Sequence, residues 1–269
     1  MKLVTVIENT CGRTDCKYEH GLCIYVETEK HKLLFDTGAT DAFAENAKTL
    51  GIDLQEIDTV VLSHGHYDHG GGILEFRRHN LDAPIFMQGT ATGMYYNKER
   101  YIGLDKRISE LSGVCFLDGD YRIDEELLLF SGIKGRRLWP QGNRTLGCVR
   151  DGIRHQDEFS HEQCLEVSCE GKRILLSGCA HNGILNILDR YKSLFGRMPD
   201  LVVSGFHMMK KTEYDDREIK EMEETAKELK NSDTLFYTGH CTGQQAYEIM
   251  HRIMGEQLRL MHSGVEIVI

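Results

Sequence analysis

The chain has 269 residues, 41% hydrophobic and 28% charged, with only three prolines, a composition that excludes a disordered or low-complexity protein. The formal charge of -10 argues against a general binder of nucleic acid or of an anionic membrane, and no apolar stretch approaches the roughly 20 residues of a membrane span. Nine cysteines, odd in number and irregularly spaced, argue against a closed disulfide framework and suit the free thiols of a reducing cytoplasm.

The N-terminus turns polar too soon for a signal peptide and reads as a first strand over 3–7. Further strands are expected over 22–27 and 32–35, the last ending in Asp36-Thr37-Gly38. A helix follows over 41–50, where Phe43, Ala47 and Leu50 share a face. Residues 58–63, β-branched and continuous, read as a buried strand. A helix over 72–79 and a strand over 83–87 come next. In the middle, 114–117 and 126–130 look like strands. Residues from about 131 to 160 show little periodicity, and an irregular segment of this length is usually functional or mobile. The last third alternates again: a hairpin over 163–169 and 173–177, a helix over 183–195, a strand over 200–204, a charged helix over 216–230, a strand over 234–237, a helix over 243–254 and a closing strand over 265–269. With no linker or composition break, the chain reads as a single domain over 1–269 with an irregular substrate-loop insertion at about 131–160.

The chemistry is concentrated in His64-Gly65-His66-Tyr67-Asp68-His69. Four metal-binding side chains lie within six residues at the end of a strand, where a rigid scaffold opens to solvent. Imidazole and carboxylate suit zinc and neighbouring transition metals. One open catalytic site takes about three protein ligands in all, so four from one loop suggest two metals. Three later histidines, His181, His207 and His240, each follow an apolar strand and a glycine. If those strands are parallel neighbours, their carboxyl ends share an edge. The remaining histidines, His20 among them, read as ordinary surface or loop residues, with His155 and His161 open. Cys11, Cys16 and Cys23 form the one cysteine cluster, for which a structural metal site is the minor reading.

These motifs resemble the metallo-β-lactamase superfamily. The resemblance rests on His64-x-His66-x-Asp68-His69, the upstream Asp36-Thr37-Gly38 turn and the late Gly239-His240. It implies an α/β fold, an αββα sandwich in which two facing mixed β-sheets carry helices on their outer faces and two divalent metals lie at one edge. Zinc is the expected metal, with iron or manganese as alternatives. Carried over residue by residue, His64 and His66 serve the first metal, and Asp68, His69 and His240 the second. Two positions depart from the pattern. The usual bridging aspartate is replaced by Cys179, which reads either as a soft ligand or as a buried small residue. The usual histidine ahead of the hairpin is not obvious: His161 is the nearest candidate, and His181 is preferred over it as the ligand.

A closer resemblance covers Glu19-His20-Gly21-Leu22, Ser177-Gly178-Cys179-Ala180-His181-Asn182-Gly183-Ile184, Gly205-Phe206-His207 and His240-Cys241-Thr242-Gly243. It is to the branch named for 7,8-dihydropterin-6-ylmethyl-4-(β-D-ribofuranosyl)aminobenzene 5′-phosphate synthase. The primary expectation is a dinuclear metal-dependent hydrolase of a phosphorylated or ester small molecule. The alternative is a transferase joining a dihydropterin pyrophosphate to the ribofuranosylaminobenzene phosphate. A di-iron oxidoreductase is the weakest class: such proteins usually carry a flavin-binding domain, and the sequence ends soon after the last expected strand. Asp68 and His207 are the catalytic candidates. The anionic substrate is assigned to Arg136, Arg137 and Lys210, with Lys134, Arg144 and Lys211 nearby in sequence, although those arginines read equally as surface groups paired with carboxylates. A cytoplasmic location, a small anionic substrate, no nucleic-acid or membrane partner and an open question of a homodimer complete the expectations.

Overall fold

The computed structural model describes residues 1–268. Two seven-stranded sheets face each other. The first runs Val265–Ile267, Lys2–Ile7, Cys23–Glu27, Lys32–Phe35, Thr59–Val61, Ile85–Gln88, Val114–Leu117 across the sheet. The second runs Leu258–Leu260, Leu235–Thr238, Leu201–Ser204, Lys172–Ser177, Cys164–Cys169, Leu127–Phe130, Tyr121–Arg122. In each sheet four consecutive strands are parallel and the rest antiparallel.

The layering follows from strands that bury both faces. Leu33 and Phe35 point into the core between the sheets, against Leu165, Leu176 and Val203. Leu34, between them, points the other way and packs with Phe43 and Ala47 of the outer helix Ala42–Thr49. That double burial explains the continuous apolar runs of the sequence. On the far side, helices Ile184–Phe195, Asp216–Lys230 and Gln244–Met254 cover the second sheet through Ile187, Ala226 and Met250. The charged helix is started by a capping box, in which Asp215 accepts from the Glu218 backbone and Glu218 reaches back to Asp215. The result is the expected αββα sandwich.

The structure adds a third, antiparallel sheet of four strands, Ile153–Gln156, Leu146–Arg150, Met94–Asn97 and Arg100–Tyr101. Two of these lie in the segment expected to be irregular. Ile153–Gln156 is exposed throughout, so no alternation marks it, and the strand Leu146–Arg150 pairs with a segment about fifty residues upstream. The short strands Tyr121–Arg122 and Leu258–Leu260 were also not expected. Of the closing strand, Val265–Ile267 is formed, while Ile269 lies outside the described residues. The cluster of Cys11, Cys16 and Cys23 does not converge: among the described residues none joins a group of metal-ligating atoms, and all nine cysteines are free.

Candidate metal centre

The parallel strands set the site. Lys32–Phe35 and Thr59–Val61 of the first sheet deliver Asp36 and His64 at their carboxyl ends; Lys172–Ser177, Leu201–Ser204 and Leu235–Thr238 of the second deliver Cys179 and His181, His207, and His240. Asp36, Ala180, His207 and His240 all have φ between 48° and 62°, a left-handed conformation costly for residues with a side chain and common at functional turns. Asp68 and His69 ride on a one-turn helix, Tyr67–Gly70, rather than an open loop. Gly178 has no room for a Cβ, because Ser63 Oγ already lies against it.

His64, His69, His181 and His240 are all nearly or fully buried and approach through their Nε2 atoms: His64 to His181 at 3.3 Å, His69 to His240 at 3.1 Å. Each ring is pinned from behind through Nδ1. Asn143 donates Nδ2–H to the His181 carbonyl at 2.7 Å and offers Oδ1 to His181 Nδ1 at 2.9 Å. Asn9 repeats this clamp on His240, at 3.2 Å to the carbonyl and 2.9 Å to Nδ1. Asp36 accepts from His69 Nδ1 at 2.6 Å and from Ser63 Oγ at 2.8 Å; that hydroxyl, its proton committed, accepts from His64 Nδ1 at 2.8 Å. These partners fix the tautomer with the proton on Nδ1 and the lone pair on Nε2. A ring clamped on one nitrogen by an acceptor is the usual arrangement of a metal-ligating histidine.

Burial, reinforced by the surrounding imidazoles, pushes His64 and His181 well below the ordinary histidine range, and burial pushes His66 down to about 3. His66 Nε2 is buried without a hydrogen-bond partner. Unprotonated nitrogens therefore converge with nothing to satisfy them, which is costly unless a cation occupies the gap. The second group differs. Burial opposes a charge on His69, but Asp36 and Asp68 outweigh it and push its pKa up to about 9. Burial likewise opposes ionisation of Asp68, yet His69 and His240 hold its carboxyl well below the usual range. Asp68 Oδ2 lies 3.3 Å from His240 Nε2 and 3.9 Å from His69 Nε2. A proton and a metal thus compete for His69. The donor set of imidazole, carboxylate and thiol fits one or more divalent transition metals.

Cys179 lies between the groups. Its Sγ is 3.2 Å from His69 Nε2, and it joins both the His64–His181 and the His69–His240 sets of converging atoms. Burial pushes its thiol up, so ligation would need a cation to stabilise the thiolate. His161 is differently engaged. Its Nδ1 accepts the Gly65 N–H at 2.9 Å and its Nε2 donates to Asp157 at 3.1 Å, so both nitrogens are taken up in holding the motif loop.

His20, expected to be an ordinary loop residue, instead stacks on His240 with ring centroids 4.9 Å apart and places Nε2 3.4 Å from Asp68. Only tertiary proximity marks it; no spacing in the sequence does. The arginines move the other way. Arg136 donates to the carbonyls of Ile133 and Gly135 and to Asn182 Oδ1, and Arg137 pairs with Asp189 and Glu228 on the surface. Neither lines the cavity over the histidines. Arg136 is held by carbonyls of its own loop and by Asn182, and Arg137 by carboxylates of the helices Ile184–Phe195 and Asp216–Lys230, so both stand apart from the cavity to which the sequence assigned them. Lys210 does line that cavity, as do Lys98 and Arg100, which sequence reading passed over because they belong to the unexpected third sheet and its turn. His207 lines it too, with Nδ1 buried and unpartnered.

The metallo-β-lactamase superfamily model matches residues 18–202. Among curated relatives, an uncharacterised protein of Methanocaldococcus jannaschii is 28% identical over 233 residues, covering 85% of this chain and 86% of the relative. A second protein of the same organism, named 7,8-dihydropterin-6-methyl-4-(β-D-ribofuranosyl)-aminobenzene-5′-phosphate synthase, is 26% identical over 285 aligned positions, covering 98% and 95%. Among solved structures, Tm1679, described as a metal-dependent hydrolase of the β-lactamase superfamily, superposes with a TM-score of 0.84 at 28% identity, over 100% of this chain and 99% of that one. Fold, motif and matches agree: the chain belongs to the metallo-β-lactamase superfamily.

Proposed function

We propose that the protein is a dinuclear metal-dependent hydrolase of a small phosphorylated or ester substrate. The observation that carries this reading is the approach of His64 Nε2 to His181 Nε2 at 3.3 Å, with the His66 ring edge-on to both at 4.6 and 4.9 Å between centroids, beside the set of Asp68, His69 and His240. Zinc suits the donors best, and Cys179 is placed to serve both groups. Bound there, divalent cations supply an acidified water and polarise a phosphoryl or carbonyl oxygen. The chain's own residues do the rest. Asp68 orients the nucleophile and takes its proton, while His207 donates a hydrogen bond to the substrate oxygen from the cavity wall. Lys98, Arg100 and Lys210 neutralise the anion.

A second reading is favoured by one observation, the match over 98% of the chain to the relative named as the pterin-linked synthase. In that reading the cations that these residues would hold would supply charge for a pyrophosphate leaving group, whose bond to the pterin methylene carbon breaks as the arylamine nitrogen bonds that carbon and loses a proton. Metal analysis of protein purified without chelator, then incubation with a phosphodiester and separately with a dihydropterin pyrophosphate with and without its arylamine partner, tests both. Phosphodiester cleavage is the expected result. Pyrophosphate release that requires the arylamine, with the phosphodiester inert, rejects the hydrolase.

A further inference from the structure

The loop 19–22, just ahead of the strand Cys23–Glu27, packs on the metal-ligand motif. Leu22 donates its N–H to the Asp68 carbonyl at 3.1 Å, and a Cβ at Gly21 would lie 2.9 Å from that same oxygen. Glu19 accepts the N–H groups of Ala39 and Thr40 at 2.8 and 3.1 Å. This fixed backbone sets His20 in the wall of the cavity over the histidines, half exposed, with its ring stacked on His240 and its Nε2 3.4 Å from Asp68 Oδ2. By nearness alone, His20, Asp68 and His240 form a further set of converging ligand atoms. The directions of the hydrogen bonds separate His20 from that set. Asn9 turns Oδ1 to His240 Nδ1–H and Nδ2 to the His240 carbonyl, which can only accept, so the orientation of its amide is fixed. The same Nδ2 lies 3.3 Å from His20 Nδ1 and donates to it, which leaves the His20 proton on Nε2. His20 is thus the reverse of the ligand histidines: its lone pair faces the clamp and its N–H faces the cavity.

We propose that His20 is a further catalytic residue, whose Nε2–H donates a hydrogen bond to the reacting oxygen of the substrate on the Asp68–His240 side of the centre. The hydrolase reading supplies the reaction, and the Asn9 clamp alone supplies the donor. His207 stands on the other side, its ring centroid 4.1 Å from that of His181. When a phosphodiester is cleaved, the water oxygen bonds phosphorus, its proton passes to Asp68, and the ester oxygen leaves with the electron pair of its bond to phosphorus. Before that transfer the His20 N–H faces an ionised carboxylate at 3.4 Å, longer than a full hydrogen bond. Once Asp68 holds the proton its charge is gone, and negative charge has grown on the phosphoryl oxygens. The donor follows the charge, so its contact is stronger in the transition state than in the resting enzyme.

Nitrogen-15 histidine spectra of the protein loaded with cadmium-113 test the donor directly. His69 and His240 should show cadmium coupling on Nε2, while His20 should show none and carry its proton on Nε2. Coupling at His20, or its proton on Nδ1, overturns the proposal. Coupling at no histidine, with the His20 proton on Nε2, sinks the metal-site reading and leaves the donor standing. The zinc-loaded enzyme and bis(4-nitrophenyl) phosphate test the catalytic role. His20→Phe keeps a ring over His240 and removes the donor, whereas His20→Gln loses the ring and returns an N–H of similar reach. His20→Phe should lose about a hundredfold in kcat, with KM within about twofold and metal content unchanged. His20→Gln should recover to within about fivefold of the wild type. If His20→Phe does not fold, His20→Asn, whose amide can meet Asn9 but is too short to reach the substrate, takes its place. No loss in the donorless variant, or an equal loss in His20→Gln, overturns the proposal. Orthovanadate, which takes the five-coordinate shape of phosphoryl transfer, should bind the donorless variant about tenfold more weakly than the wild type. A wild type that cleaves no phosphodiester but keeps this difference in vanadate affinity rejects the hydrolase and not the donor; equal vanadate affinities reject the donor.

Discussion

The parallel strands Lys32–Phe35 and Thr59–Val61 carry a histidine–aspartate arrangement at each of their ends, and the two ends do opposite things. At the carboxyl ends, Asp36 holds His69 directly and His64 through Ser63, always on Nδ1, leaving each Nε2 free to face another residue. At the amino ends, His31 is engaged on both nitrogens, Nδ1 with Asp58 at 2.9 Å and Nε2 with Asp124 at 2.8 Å. Asp124 precedes the strand Leu127–Phe130, so this contact ties the first sheet to the second. A ring clamped on one side is a ligand in waiting; a ring clamped on both sides is a charged rivet. The residue types are the same, and only the number of engaged nitrogens separates them.

The largest effect should come from breaking the open end. His64→Ala should lose most bound metal and reduce turnover by at least about a thousandfold, measured by metal analysis and by phosphodiester cleavage. Full metal content in that variant removes His64 from the ligand set. Asp36→Asn tests the clamp rather than the ligands: metal affinity should fall about 10–100-fold while the far-ultraviolet spectrum is retained. Unchanged affinity would mean that the Nδ1 partners do not matter. For the cationic residues, Lys210→Ala should raise the Michaelis constant for a phosphorylated substrate about tenfold, and Arg137→Ala should leave it within about twofold. The reverse order would return Arg137 to the substrate.

The closed end predicts the smallest effect and a definite pH dependence. Burial opposes a charge on His31, but Asp124 and Asp58 outweigh it and raise its pKa above 6.5. Its contribution to stability is therefore complete below pH 6.5 and is lost as the pH rises through the raised value. Burial likewise opposes ionisation of Asp124, but His31 and backbone donors lower its pKa below 3.8, so its contribution is present above pH 3.8 and is lost as the pH falls through the lowered value. His31→Gln should lower the melting temperature by a few degrees at pH 5.5 and by clearly less at pH 9. An equal decrease at both pH values would show that the pairing carries no charge.

Legibility tracked how local the physical signal was. The buried strand before His64 was evident because it is a continuous apolar run, and the helix Asp216–Lys230 because its charged residues form one contiguous stretch. The pair Met94–Asn97 and Leu146–Arg150 was not, because its pairing spans about fifty residues and its partner strand Ile153–Gln156 has no buried face to impose alternation. For the same reason Lys98 and Arg100 were passed over, and the partners of Arg137, Asp189 and Glu228, lie too far along the chain to be read from it.

The sequence alone determined the ligand-rich motif, the strand-end placement of His181, His207 and His240, and the layered class of the fold, since each is written in residue type and short-range period. Tertiary structure alone decided which nitrogen of each histidine faces its neighbours, that His20 leans on His240, and that Lys98, Arg100 and Lys210 line the cavity over the histidines. Those depend on acceptors such as Asn9, Asn143 and Asp36, which are brought against their histidines by the facing of two sheets and not by nearness along the chain.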